Sequence, residues 1–433
     1  MRLILSVASV CLCIHLQGQE VNGSSPTDIQ NGLYRGYHEN TALAAKGEVK
    51  NGKKEGIWFF YRKNGSLERQ ITFKNDKRNG PTYLLDPNEL PISETNFKND
   101  IKSGAHIEYY EDASVALNGY YRNNKKDSIW TEFNPYGFKT FEKEYDEGTK
   151  TGTWKYYQGD YGNRLIAVEN YENDLAHGEW LIYYRNKRLQ KSFRFKYGKL
   201  EGKYLEYHPN GEKSVEGQYI NDLKTGTWLS FSPNGNLFAI GDYKAEQKSG
   251  LWKYFYEEGS IESEGPYQSN KKNGQWLYYF ENGKIAEVGS FINDLKTGLW
   301  GLFYPNDQLK QEQTWQNGRL IEVSDVYSIK GEPLKKGTIT RGNGTYFEYY
   351  PEGEIKLKST LTSGLFEGET ISYFEDGDIS AIGNMKNGKE SGKWTYYHPN
   401  GKVESTGTYQ QGEKVGEWFF YNPRGKELER LTY

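Results

Sequence analysis

Beyond residue 18 the chain carries five histidines, His38, His106, His177, His208 and His398. Imidazoles make a metal site when three or four ligands converge on one ion. These five are scattered along the chain, and His208 and His398, which precede equivalent turns, stand 190 residues apart. No metal is expected. Four carboxylates, Glu257, Glu258, Glu262 and Glu264, crowd one stretch, and a carboxylate pair at the right separation cleaves glycosidic bonds. They surround a turn, where charge is normally solvated, so hydrolysis is not expected either. Glycines recur at G-x-x-x-x-G spacing but lack the following helix and Lys-Ser/Thr of a phosphate loop. Serines near His or Asp carry no nucleophile motif. The sequons at Asn22, Asn64 and Asn343 take sugar only in a eukaryotic secretory host, and the last two read as turns. The expectation is a protein that is not an enzyme and holds no cofactor.

The elements that carry these residues repeat. A glycine opens a unit at Gly32, Gly56, Gly80 and Gly104, Ser128 takes that slot, and Gly152 follows, each 24 residues after the last. A two-residue insertion near Gly159–Gly162 delays the next opener to Gly178. The period then runs through Gly202, Gly226, Gly250, Gly274 and Gly298 to a degenerate opener at Glu322. After a two-residue deletion it resumes at Gly344, Gly368, Gly392 and Gly416, making seventeen units. Counting from the opener, position +2 is Trp in ten units and +5 is Tyr or Phe in sixteen, Leu85 being the exception. Position +17 is usually aromatic, and Trp315 falls there. Ile220–Gly226 and Ile292–Gly298 both read INDLKTG, as duplication would leave them. A fixed period of this size means a repeat array.

Residues 1–18 read as a signal peptide: Arg2, an apolar run from Leu3 to Leu16 too short to cross a bilayer, and Gly18 at the cut. Both cysteines, Cys11 and Cys13, fall inside it, so the mature chain would have no disulfide or thiolate site. The formal net charge of −3 becomes −4 without Arg2. Both signs are interspersed, which argues against nucleic acid as a partner. Aromatics are 16% of the residues while aliphatic runs are short, so each unit offers one thin apolar layer to its neighbours.

Residues 19–31 form a polar lead-in. The array is least regular over 32–127, where Pro81, Pro87 and Pro91 predict weaker pairing. It is regular over 152–313, degenerate over 320–342 and regular again over 344–433. Tyr433 falls on the +17 slot of the last unit, which leaves the final strand open or covered by a partner. Within a unit, about seven strand-forming residues follow the opener. A turn such as His208-Pro209-Asn210-Gly211 or His398-Pro399-Asn400-Gly401 closes a hairpin, with Pro setting φ and Gly taking a positive one. A second strand ends at +17, and Asn221-Asp222-Leu223-Lys224-Thr225 or its like returns to the next opener. The predicted fold is all-β: an elongated, twisted antiparallel sheet of about seventeen tandem β-hairpins.

In Gly392-Lys-Trp394-Thr-Tyr396-Tyr397-His-Pro399-Asn400-Gly401, followed by Gly407, Tyr409 and Gly412, the chain resembles the MORN-repeat variant family. That resemblance covers residues 32–433 and implies elongated antiparallel hairpin repeats. For function it implies protein-interaction platforms, sometimes with membrane contact. Some bacterial members carry an antitoxin label, a role that a signal peptide argues against.

Alternation puts +2, +4 and +6 on one face and +5 on the other. The constancy of +5 predicts that it forms the packing layer, so that Tyr397→Ala would cost roughly 2–4 kcal/mol and Lys393→Ala under about 0.5. The opposite face is richest at Trp252, Tyr254, Tyr256, Trp276, Tyr278, Phe280, Trp300 and Tyr304. Those rings either pack on one another or line an open groove for a peptide, helix or glycan. Three functions fit: an exported scaffold that binds a protein partner along the sheet, an array that binds carbohydrate or cell-wall polymer, and a peripheral membrane protein.

Overall fold

The computed structural model describes residues 21–22, 29–159 and 162–433. Residues 1–18, read above as a signal peptide, and most of the lead-in lie outside the described residues. No helix occurs among those described. The chain divides into two compact units, one up to Glu201 and one from Gly202 to Tyr433.

In the first unit the antiparallel succession runs from Asn31–Tyr37 to Leu189–Lys196, with Thr149–Lys150 and Gly152–Gln158 both pairing to Lys139–Asp146, and Leu175–Ala176 and Gly178–Tyr183 both to Arg164–Glu172. Val21 and Asn22 pair in parallel with Tyr34 and Arg35, and Ile29 is buried with Tyr34, Val49 and Trp58. The prolines do not weaken the pairing. Lys77–Leu85 and Pro91–Lys98 form a full hairpin. Pro91 pairs at the bulge beside Leu85, where the ladder is already interrupted.

Two turns alternate. The long one leaves Gly211 and Gly401 at φ 97° and 73°, and the Gly211 N–H donates to the His208 carbonyl at 2.9 Å. The short one is a two-residue loop with both φ values positive, as at Asn221 (49°) and Asp222 (70°) between the paired Ile220 and Leu223. Asn and Asp tolerate that left-handed geometry, which matches the sheet's twist. The opener is left-handed too, at φ 68° in Gly250, and Ser128 accepts the same geometry at 57°. There the ladder between consecutive hairpins jumps register.

Side chains at the turns bond repeat to repeat, satisfying backbone groups that the ladder leaves over. His208 and His398 place Nε2 2.9 Å from the carbonyls of Phe231 and Tyr421, 23 residues on, and His38 does the same to Tyr61 at 2.8 Å. The hydroxyls of Tyr110, Tyr256, Tyr304 and Tyr350 make the equivalent bond. At the other edge Asp76, Asp100 and Asp294 accept the backbone N–H of Lys54, Arg78 and Lys272.

In the second unit the antiparallel succession runs from Gly202 to Arg319–Tyr327 and again from Gly344–Tyr349 to Glu427–Thr432. Between them the degenerate repeat keeps its first strand and loses its second. Pro333 and Leu334 pair with Tyr327 and Val326. Residues 335–343 cross as irregular chain, held by Gly342 N–H to the Ile321 carbonyl at 2.8 Å and Gly364 N–H to the Gly342 carbonyl at 2.7 Å. Leu320, Ile339 and Leu361 supply an apolar plug there.

Candidate functional site: the aromatic face

The packing layer lies on the Trp face. Trp276 and Trp300 are 0% exposed, Trp252 and Tyr304 are buried, and Tyr254, Tyr256, Tyr278 and Phe280 are half-buried. Trp394 is buried while Tyr397 is only half-buried, so the expected inward role of +5 is reversed.

Burial in a single-layer sheet needs a seat, walls and a lid. The seat is a glycine at +15 of the preceding repeat. A Cβ on Gly265 would fall 2.3 Å from Trp276 Cδ2, and one on Gly289 would fall 2.1 Å from Trp300 Cδ2. Gly47, Gly119, Gly217, Gly241, Gly383 and Gly407 seat Trp58, Trp130, Trp228, Trp252, Trp394 and Trp418 in the same way. Other repeats fill the seat: Trp154 and Trp180 stand beside Lys143 and Glu169, and in two repeats a hydrogen-bonded polar pair replaces indole on glycine. Thr95 bonds His106 Nδ1 at 2.8 Å, and Ser359 bonds Thr370 at 2.6 Å.

The walls are rings. Trp252, Tyr254, Trp276, Tyr278 and Trp300 alternate in one run with centroids 6.1, 6.4, 6.1 and 6.4 Å apart. Tyr267 and Phe291, at +17, meet Trp276 and Trp300 edge-on at 5.2 and 5.0 Å, the geometry that ring quadrupoles favour. The lid is a lysine two residues before the opener. Lys248, Lys272 and Lys296 place Nζ 4.2, 4.2 and 3.9 Å from the centroids of Trp252, Trp276 and Trp300. The ammonium itself caps the indole face, a cation–π contact. Burial pushes the Lys272 ammonium below its ordinary value, against the raising effect of Asp294. The hydroxyls of Tyr254 and Tyr278 meet the amines of Lys248 and Lys272 at 2.8 Å, and burial raises both tyrosines.

This basic column is what sequence reasoning missed. It runs through Lys54, Arg78, Lys102, Lys126 and Lys150 in the first unit and Lys224, Lys248, Lys272 and Lys296 in the second. Composition hides it, since acidic residues balance it overall. Its signal is the slot, a cation four residues before eight of the ten +2 tryptophans, with Ala176 and Glu390 standing there before Trp180 and Trp394.

On the opposite face +5 makes a lighter layer. Tyr279 donates to the Glu264 carboxylate at 2.8 Å, and that carboxylate pairs with Lys253 at 2.9 Å. Burial and Glu264 push the Tyr279 hydroxyl up to about 12. At the break, Gln313, Trp315, Tyr346 and Phe366 bound a cleft of about 340 Å³. Burial, with Glu348, pushes Tyr346 up to about 12.

Fold and site together define a tandem β-hairpin repeat protein whose repeats interlock by Trp on Gly. The MORN repeat variant model matches residues 54–75, 200–221, 224–245, 248–269, 272–293, 296–317, 366–387 and 390–411. Those eight segments, spread between residues 54 and 411, are MORN-variant repeats. No curated protein matches it. Among solved structures it is similar to a chain of "Crystal Structure of TcdB2-TccC3-Cdc42", at 10% identity and a TM-score of 0.15, covering 93% of this chain and 26% of that one. A chain of "Structure of Photorhabdus luminescens Tc holotoxin pore, Mutation TccC3-D651A" is similar at 11% identity and TM-score 0.15, covering 92% and 27%. This protein spans about a quarter of the length of those chains, and a likeness at that score carries no argument about fold or function.

Proposed function

We propose that the chain is an exported, non-enzymatic repeat scaffold that binds a protein partner along its sheet. The observation that supports this is the face opposite the tryptophans. In the second unit Ile292, Leu295 and Leu299 are 53, 47 and 59% exposed, with Ile292 directly opposite Leu295 in the ladder. The duplicated segment repeats the pair as Ile220 and Leu223, also exposed. Aliphatic side chains kept in water at equivalent slots of a rigid array suit a partner that engages several repeats at once, each contact raising the effective concentration of the next. Export rests on residues 1–18, and amino-terminal sequencing of protein recovered outside the cytoplasm checks it.

The test is capture of a partner by the full chain from native envelope extract, repeated with Leu295→Lys and Leu299→Lys. One protein species retained by the wild type and lost by the double variant, which should keep its fold, supports the proposal. Capture that survives both substitutions removes this face from the reading. Membrane association is the weaker alternative. No helix among the described residues is long and apolar enough to cross a bilayer, and liposome flotation tests surface binding.

A further inference from the structure

The short turns of the first unit carry a charge pattern that costs the fold stability. Lys50 pairs directly across from Lys53, Lys74 from Lys77 and Arg122 from Lys125, while Lys98 stands opposite Ile101. Like charges set opposite each other in a ladder destabilise a sheet. All of these cations are exposed, and their strand neighbours show which way they point. Lys54 and Lys126 cap Trp58 and Trp130, so alternation turns Lys53 and Lys125 to the opposite face. Each repeat spans two strands, so four successive turns form a basic ridge with one step every ~10 Å.

The fold does not use this ridge. Arg122 is committed to Asp127 at 3.2 Å. The ammoniums of Lys50, Lys53, Lys74, Lys77, Lys98 and Lys125 make no ion pair, hydrogen bond or ring contact among the described residues. The acids of the turns face the other way: Asp76 accepts the Lys54 N–H, and Asp100 accepts from the Arg78 backbone and guanidinium. Lys77 reaches Asp100 only as the smallest of the influences that lower it. Glu48 and Glu55 share the face beside the first pair. The uncompensated stretch is therefore centred on Lys74, Lys77 and Lys98, where the flanking slots are Thr72, Asn79, Asn96 and Ser103. A second row runs beside the ridge. One residue after successive openers stand Ile57, Pro81, Ala105 and Ile129, all apolar, and all but Pro81 exposed. The second unit differs: the same turn slots hold Ile220 with Leu223 and Ile292 with Leu295, and its one lysine pair, Lys386 with Lys389, stands alone.

We infer that this edge of the first unit docks an extended acidic segment of a protein partner. Carboxylates answer the lysine pairs, and intervening apolar side chains answer the row beside them. A polyproline II segment advances about 9.3 Å in three residues, close to the ~9.6 Å between equivalent slots two strands apart. An acidic residue at every third position therefore meets one repeat after another. Single-stranded nucleic acid fits less well, because it binds by stacking bases on aromatic rings, and in that row only Tyr120, opposite Ala105, offers an exposed ring. The inference takes from the proposed function only that the partner is a protein. It rests on other residues, so it can fail while the aliphatic positions of the second unit stand.

The test follows a labelled Glu-Leu-Pro repeat peptide, long enough to span the four turns, binding to the full chain by fluorescence anisotropy. Two controls are the Gln-Leu-Pro repeat and a peptide of the same composition with its glutamates grouped at one end. The periodic acidic peptide should bind at least ~10-fold more tightly than either, as charge-assisted contacts require, and more weakly as salt rises. The decisive variant is Lys77→Glu. It sets a carboxylate opposite Lys74, so binding should fall about 10-fold while the thermal transition stays at or above that of the wild type. Leu295→Lys with Leu299→Lys should bind the peptide as the wild type does, which separates this site from the aliphatic one. No binding by the wild type, equal affinity for either control, or undiminished binding by the folded Lys77→Glu variant would overturn the inference. So would tighter binding of an oligothymidylate or of phosphatidylserine vesicles.

Discussion

From Gly226 to Phe303 the second unit is built by one rule, and from Leu320 to Asn343 that rule lapses. In the first region each indole rests on a glycine eleven residues back, as Trp276 rests on Gly265 and Trp300 on Gly289, and each strand pairs with the next. In the second, the seat is Gln313 and the slot above it is Ser324. Neither pairs with the other as a substitute. Gln313 turns to Gln311 and Trp315, and Ser324 accepts the Glu312 N–H at 2.8 Å. The indole is gone, and with it the regular second strand. Losing Trp does not by itself break the sheet, since Thr95 with His106 and Ser359 with Thr370 keep their strands paired. What holds consecutive hairpins is therefore a complementary pair across the ladder. Indole on glycine is its commonest form here, and a hydrogen-bonded polar pair is the other.

That contrast can be broken most severely by emptying a regular seat. Trp276→Ala removes a fully buried ring and is expected to cost about 3–5 kcal/mol. Hydrogen exchange should show the loss between Gln247 and Phe303 with little change beyond Gly344. The same substitution at Trp394 should exceed Tyr397→Ala severalfold, and equal losses of protection would restore the opposite face as the core.

Filling the seat from below should cost somewhat less. Gly289→Val drives two methyls into the Trp300 ring, for an expected loss of about 2–3 kcal/mol. Because seat and indole act as one unit, Gly289→Val with Trp300→Ala should be less destabilised than the sum of the single changes. Strict additivity in a denaturant titration would remove the interlock from the account. In the break there is no interlock to lose. Ser324→Ala forfeits two backbone contacts of one hydroxyl, to the Glu312 N–H and the Asp325 carbonyl, about 1–2 kcal/mol.

A tyrosine from each region sharpens the comparison by pH. Tyr279 and Tyr346 are both raised from 10.0 to about 12, chiefly by burial and next by the carboxylates of Glu264 and Glu348. A raised folded-state value means the neutral form is preferred in the native state. The stability it contributes is complete below pH 10 and is lost as pH rises through about 12. Phenolate absorbance should show these two rings ionising late, and Tyr279→Phe and Tyr346→Phe should each remove part of the late phase. An unchanged titration in either variant would place that ring in water. The smallest effect belongs to the lid: Lys272→Ala should cost roughly 0.5–1 kcal/mol through the lost cation–π contact, read as faster exchange around Trp276.

Much of the fold is legible in the residues, and the legible parts share a cause: they are local. Asn221-Asp222 and Pro209-Asn210-Gly211 state their turns because each turn needs a particular φ from a particular residue. The stretches between them alternate too strongly for anything but strand. The aromatic face was legible as a face, but its role was not. Position +5 recurs more often than +2, and recurrence alone suggested that Tyr397 was the packing residue. Recurrence marks any slot with a repeated duty, and +5 has one in the lighter layer, where Tyr279 meets Glu264.

The amino-acid order by itself determined the period, the hairpins, the two turn types and the place where the array falters. Only the tertiary structure decided which face is inside. A one-layer sheet has no opposing layer to bury a ring, so burial depends on what the register brings alongside. Gly265 lies across from Trp252 on one strand and beneath Trp276 on the other, while Lys272 folds over from two residues before the opener. Those three residues become one packing unit only after the strands have paired.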